Sequence, residues 1–243
     1  MTTAIVSAMH EELAAVLALM PDEHRQLVAG REFWLGHLHG KPVVAVLSRI
    51  GKVAAATTAT VLIERFAVDR IVFTGVAGGL AAGVAVGDIV VADSFLQHDL
   101  DASPIFPKYQ VPLYGVDRFP ADIELGARLA QAARIALPEV RVHRGLVLSG
   151  DRFVSTTAES RALQQALPLA LAVEMEGAAI AQVCHDYGVP FAAVRTVSDR
   201  ADDEAHVDFT RFIQEVASRY SAAIVGAFLA APPAAVTSAS RAS

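Results

Sequence analysis

The segment Ala172-Val173-Glu174-Met175-Glu176-Gly177-Ala178-Ala179 sets two carboxylates at the end of an apolar run, Leu167 to Val173, where extended chain gives way to helix. Strand side chains alternate, so Glu174 and Glu176 project to one side if extended geometry persists that far. A buried charge is costly unless something binds it, and a polyhydroxylated ligand such as a ribose is a natural partner. The plainer reading makes Glu176 a first-turn acid of a helix over 176–187, favoured by the helix dipole. Spacing alone leaves both readings open. Small or acidic punctuation recurs at other strand ends, in Gly75 to Gly79, Ser149-Gly150-Asp151 and Ser198-Asp199. Such convergence is a stronger signal than any one cluster, because ligands of α/β sheets bind outside the carboxyl ends of the strands.

Familiar cofactor motifs fail. Gly75 to Gly79 follows a strand but lacks the G-x-G-x-x-G dinucleotide pattern. Gly51-Lys52 resembles the end of a phosphate loop, yet Val46 and Val53 stand where Gly and Ser or Thr are required. No serine sits in a G-x-S-x-G elbow. His37 with His39, and His98-Asp99-Leu100-Asp101, lack a complete ligand set, so no metal is expected. No cofactor is expected either. Hydrophobic residues make up 53% of the 243 residues and charged ones 19%, which describes a chain with a large core. A net charge of −6 argues against a nucleic-acid surface. The one cysteine, Cys184, has no disulfide partner within the chain, which suits a reducing, cytoplasmic setting. Neither a signal peptide nor a run of membrane-spanning length is read, so no membrane partner is expected.

These groups need a scaffold. Apolar β-branched runs alternate with helical periodicity. Strands are expected at 4–8, 32–38, 42–47, 70–74, 88–95, 140–148, 169–175 and 190–197, with the 32–38 and 42–47 pair forming a hairpin. Helices are expected at about 11–19, 52–65, 121–136, 157–167, 176–187 and 209–229, with Ser155, Thr156 and Thr157 as capping candidates for the fourth. The segment from His98 to Phe119 carries Pro104, Pro107 and Pro112 with little periodicity, a long loop of the kind that carries function. The expected fold is α/β, a single domain with a mixed, mostly parallel central sheet flanked by helices. It spans residues 1–230, and the Ala/Ser/Pro-rich 231–243 is expected to be a disordered tail.

Seven blocks then occur in order: Ala8-Met9-His10-Glu11-Glu12, Gly51-Lys52-Val53-Ala54-Ala55-Ala56, Thr74-Gly75-Val76-Ala77-Gly78-Gly79, Gly87-Asp88-Ile89-Val90-Val91, Ser149-Gly150-Asp151-Arg152-Phe153, Val173-Glu174-Met175-Glu176 and Val194-Arg195-Thr196-Val197-Ser198-Asp199. Together they resemble the 5′-methylthioadenosine/S-adenosylhomocysteine nucleosidases of the nucleoside phosphorylase superfamily, over roughly residues 4–230. The resemblance implies a nucleoside phosphorylase-like fold and water-driven cleavage of the adenine–ribose N-glycosidic bond of 5′-thioadenosines. That chemistry needs an acid at the purine, a base for water and negative charge near an oxocarbenium-like ribosyl cation.

The resemblance assigns the acid to Asp199, with Ser198 orienting it, the water to Glu12, and the ribose hydroxyls to Glu176. Taken alone, Ser198-Asp199 reads as a turn or cap, and Glu11 and Glu12 as first-turn acids. Arg195 is expected either to pair with Glu12 or touch the water, or to form a structural ion pair. Met175 falls at the ribose, Phe153 and Val154 at adenine, and Ile50 and Phe209 at the 5′-substituent, with Glu174, Gly78 and Val76 as further substrate-binding residues. The loop with Phe106 is the segment that closes the pocket of a neighbouring subunit, so a homodimer is implied. Val76 stands where members commonly carry Ser. The 98–107 segment also departs from the commonest version, which bears on the preferred 5′-substituent. The rival activity is phosphorolysis by a nucleoside phosphorylase, against which Glu12 speaks because it would repel phosphate. A nucleoside-binding module without turnover is the alternative of another class.

Overall fold

The computed structural model describes residues 1–202, 212 and 216–232. Phe209, the first part of the expected last helix and the 233–243 tail lie outside the described residues. The elements in chain order are β1 (Thr3–Ser7), α1 (His10–Leu17), β2 (His24–Val28), β3 (Arg31–Leu38), β4 (Lys41–Leu47), α2 (Lys52–Phe66), β5 (Arg70–Gly79), β6 (Ile89–Gln97), β7 (Arg118–Pro120), α3 (Ile123–Ala136), β8 (Val142–Ser149), α4 (Thr157–Ala166), β9 (Ala170–Glu174), α5 (Gly177–Tyr187), β10 (Phe191–Asp199) and α6 (Ser218–Ala230).

Period-two alternation sends successive strand residues into two cores. Ala4, Val6, Val44, Val46, Ile71 and Phe73 face the helices α2 and α5. Ile5, Val43, Ala45, Val72 and Val194 face α1, α3 and α6. The sheet is therefore buried on both sides, which explains why its strands read as near-continuous apolar runs. Helix ends follow local chemistry. The Asp122 carboxylate accepts from Leu125 N at 2.7 Å to cap α3, and Thr156 Oγ1 accepts from Glu159 N at 3.3 Å to cap α4.

The strand order is β10-β6-β8-β9-β5-β1-β4-β3-β2, with β7 beside β6. A further β10–β5 pairing joins β5, β10, β6, β8 and β9 into a closed ring. The pairs β1–β4, β1–β5, β5–β10, β6–β8 and β8–β9 are parallel, while β2–β3, β3–β4, β5–β9, β6–β7 and β6–β10 are antiparallel. The mixed sheet is thus parallel through its central strands and antiparallel at the hairpin edge and where the ring closes.

Three local expectations change. The glycine run is not a loop after a strand: β5 continues through Gly79 and pairs with both β9 and β10. Glycine is needed there because a Cβ on Gly79 would lie 3.0 Å from Val197 Cγ1, inside the ring closure. Polar His24–Val28, read as no element, is an exposed edge strand paired antiparallel to β3. The last two residues of the expected long loop, Arg118 and Phe119, belong instead to the short strand β7, which binds the edge of β6.

Candidate active site

The carboxyl ends of β1, β4, β5, β9 and β10 surround a cavity of ≈ 450 Å³, the position expected for an α/β sheet. Ile50, Val76, Gly78, Phe153, Glu174, Met175, Glu176, Ser198 and Asp199 all line it, joined by Ala8, Met9, Ala77 and Val173. Val154 lies in a small annex shared with Gly78, Phe153, Met175 and Asp199. Phe153 and Ile50 are largely exposed at the mouth, whereas Glu174, Glu176, Ser198 and Asp199 are buried. Phe106 does not line the cavity of its own chain.

A break in the ladder places Asp199. The β10–β5 register runs from Val197 opposite Ala77 to Asp199 opposite Gly78, so Ser198 is an extra residue in a bulge. Bulges re-aim side chains, and this one brings Ser198 and Asp199 to the same wall. Ser198 Oγ donates to Asp199 Oδ2 at 2.7 Å, and Ala201 N donates to Oδ1 at 2.8 Å. Gly78 gives the carboxyl its room, since a Cβ there would lie 2.9 Å from Asp199 Oδ1 and 3.0 Å from the Ala201 methyl. Gly78→Ala is expected to displace this carboxyl and lower kcat by on the order of 10²-fold. Steady-state kinetics beside a melting curve would check this, and an unchanged kcat would show that the carboxyl's position is not critical.

The two carboxylates of the β9–α5 junction have separate tasks. Glu174 accepts from Gly177 N at 3.0 and 2.9 Å, from Glu176 N at 3.2 Å, and from Arg195 Nη2 at 2.8 Å. It also accepts from Ser149 Oγ, whose oxygen in turn accepts from Ala178 N at 2.8 Å. Glu174 therefore caps α5 from outside the helix while it also lines the cavity. Glu176 is relieved of capping. Its Oε1 accepts from Gly51 N at 2.8 Å, and burial, then the charge of Glu174, raise its pKa well above the ordinary carboxylate value.

Glu12, near the start of α1, is fully buried. Neither of its oxygens makes a well-formed hydrogen bond among the described residues, the Met9 backbone only helping to hold its pKa down. Burial pushes its pKa up to about 8, against the opposing pull of the Arg195 charge. A Cβ on Gly75 would lie 3.6 Å from both Glu12 Oε2 and Arg195 Nη1, so both groups gather beneath that glycine. Arg195 itself resolves to an ion pair with Glu174, with Nη1 donating to the Phe73 and Val194 carbonyls at 3.2 Å and the guanidinium 3.8 Å from the Phe73 ring centre. Its influence on Glu12 is electrostatic.

Sequence reasoning assigned no role to Met9, Ala77, Gly51 or Ser149. Met9 and Ala77 lie inside quoted blocks but are too plain chemically to stand out. Gly51 and Ser149 act through backbone and hydroxyl contacts that only the tertiary structure brings together. Among the described residues no group of three or more His, Cys, Asp or Glu side chains could hold a metal ion.

The cavity thus combines three acids with apolar walls and a fourth, orphaned acid beneath. A family model described as the phosphorylase superfamily matches residues 2–230. A protein of Shewanella putrefaciens named 5′-methylthioadenosine/S-adenosylhomocysteine nucleosidase is 40% identical over 216 residues, covering 88% of this chain and 92% of that one. The chain belongs to this nucleosidase branch of the phosphorylase superfamily. Solved nucleosidase structures agree with that placement. The Neisseria meningitidis nucleosidase in complex with methylthio-immucillin-A has a TM-score of 0.89 at 36% identity, with 94% of this chain and 98% of that one covered. The futalosine hydrolase of Helicobacter pylori is also similar in structure, with a TM-score of 0.87 at 32% identity and coverage of 94% of this chain and 97% of that one.

Proposed function

We propose that the protein hydrolyses the adenine–ribose N-glycosidic bond of 5′-thioadenosines such as methylthioadenosine and adenosylhomocysteine, releasing adenine and the free 5′-thioribose. The observation that carries this reading is the charge of the cavity. Its ionisable lining is Glu174, Glu176 and Asp199, and the one arginine of the adjoining annex, Arg152, is paired with Glu159. A phosphorylase must hold a phosphate dianion at the ribose face. Here the nearby guanidinium of Arg195 is already engaged by Glu174 and two carbonyls. The site suits a neutral nucleophile and a developing cation.

In the proposed mechanism the purine lies between Phe153 and the Asp199 wall, with backbone of Val154 at its edge. Asp199, oriented by Ser198, gives its proton to N7 so that adenine departs neutral. Glu176, fixed by Gly51 N, accepts hydrogen bonds from the ribose hydroxyls, and its negative charge stabilises the ribosyl cation. Glu12 orients a water and takes its proton as the oxygen bonds to the anomeric carbon. The orphaned oxygens of Glu12 support this role, because a buried carboxylate without a well-formed hydrogen bond to the protein is suited to hold a water. Met175 and Gly78 form the ribose floor. Ile50 lines the 5′ end, to which Phe209 is also assigned, and Val76 leaves water placement to Glu12 with Arg195 behind it. Purified protein in phosphate-free buffer is expected to release adenine from methylthioadenosine; absence of release from any 5′-thioadenosine would overturn the reading.

A second copy of the chain completes the 5′ end in this account. The 98–117 loop exposes Ile105 by 82% and Leu113 by 93%, an apolar display suited to a self-interface around Phe106. Leu113→Asp is expected to shift a dimer toward monomer in analytical ultracentrifugation and to raise KM for methylthioadenosine. A wild-type monomer with full activity would contradict the shared site. The setting is taken as cytoplasmic, in keeping with the buried Cys184, whose thiol is pushed up to about 12 by burial.

A further inference from the structure

A second cavity, of ≈ 470 Å³, stands back to back with the first across two loops. Met9 and Ile50 line the catalytic cavity, while their chain neighbours His10 and Arg49 line this one. Its remaining wall includes Arg31, Trp34, Leu27 and Leu47. Arg31 and Arg49 are held by carbonyls only. Arg31 Nη1 donates to Ala29 O at 3.2 Å and Nη2 to Ala54 O at 3.3 Å, while Arg49 Nη2 donates to Gly30 O at 2.5 Å. Neither has a carboxylate partner among the described residues. The one acid in the lining, Glu32, is paired with Arg25 at 2.6 Å.

Three features make this more than a surface with arginines on it. Arg31 Nε is buried with no hydrogen-bond partner among the described residues, an unmet donor of the kind that a ligand satisfies. Burial and the charge of Arg49 both lower the pKa of Arg31, so like charges face each other with no counter-ion among the described residues. Arg49 also holds a left-handed backbone at φ 66°, beside the hairpin turn where Ala29 and Gly30 have φ 50° and 69°. That conformation is unfavourable for arginine, and such strain collects at binding sites.

We propose that this cavity binds a small organic anion with a flat apolar body, its carboxylate or phosphate held by the Arg31 and Arg49 guanidinium groups and its ring packed along Trp34. Guanidinium forks match both anions in bidentate fashion, and the leucine walls together with the indole give the apolar part its place. The ligand is distinct from the nucleoside.

Trp34 is the one tryptophan of the chain, so its fluorescence reports this cavity. Benzoate and phenyl phosphate are expected to change that emission saturably, and neutral benzyl alcohol is not. Arg49→Gly removes the guanidinium while relieving the left-handed strain, and Arg31→Gln removes the second fork. Each is expected to weaken binding of the anions about tenfold or more while methylthioadenosine turnover without added anion is kept. Three outcomes would overturn the site: no response to either anion, equal binding by both variants, or displacement of the anions by methylthio-immucillin-A, which would place them in the catalytic cavity.

Discussion

Asp199→Asn is expected to lower kcat for methylthioadenosine by on the order of 10²–10⁴-fold, the range for losing a general acid, while leaving KM within a few-fold. The amide has nearly the shape of the carboxyl and keeps an oxygen for Ala201 N. The Ser198 hydroxyl, which now donates to Oδ2 at 2.7 Å, can rotate to accept from the amide nitrogen. Folding and nucleoside binding should therefore survive, and only the proton for N7 is lost. The check is kcat, KM and thermal midpoint on one preparation, with inhibitor binding measured by calorimetry. Full activity in the variant would remove Asp199 from the acid role. Loss of inhibitor binding with intact folding would make it a binding residue instead.

The second large effect is at Glu12 and has two signatures of opposite sign. In its proposed role as the base for water, Glu12 must be ionised. Its pKa of about 8 in the free protein means that kcat/KM should rise with pH toward 8, about tenfold per unit on the steep limb. Glu12→Gln should remove that limb and reduce turnover by on the order of 10²–10⁴-fold. The same burial makes the native carboxyl a liability for stability. Its folded pKa of about 8 lies above the 4.5 of an unperturbed glutamate, so the folded state holds a proton that the unfolded chain releases. The associated stability is complete below that lower value and is lost progressively as pH rises to about 8. Gln does not titrate. The variant should thus gain stability over the wild type on going from pH 5 to pH 8, by on the order of a few kcal/mol. Melting curves at both pH values decide the point. An inactive variant with no pH-dependent gain would mean that Glu12 is not held in the desolvated state described here. A variant that keeps the alkaline-rising limb would assign that limb to another group.

Most of the scaffold was legible because its strands are buried on both faces. Val43 to Val46, Ile71 to Phe73 and Ala192 to Val194 read as continuous apolar runs, and helices must cover them. What escaped was set by neighbours that are remote in sequence. His24–Val28 has almost no burial pattern, and it is a strand because β3 offers it an edge. The Gly75–Gly79 run looks like a turn, yet it stays extended because β9 and β10 both bind it. At the site, the acids Glu12, Glu176 and Asp199 were visible as residue types and in the seven blocks. Their arrangement was not. The bulge at Ser198, the capping of α5 by Glu174, and the choice of Arg195 between Glu12 and Glu174 all depend on contacts across more than one strand. Val76 shows the same limit. The sequence reveals a missing hydroxyl, but only the structure shows that the carboxylate of Glu12 has no donor in its place.

Whether the acid-lined cavity turns over with water as nucleophile is decided by the fate of the sugar. Methylthioadenosine is incubated with the protein with and without phosphate, and both products are separated by chromatography. Adenine and free methylthioribose are expected at the same rate in both buffers. Adenine release that requires phosphate and yields a ribose 1-phosphate would contradict hydrolysis, and with it the role given to Glu12.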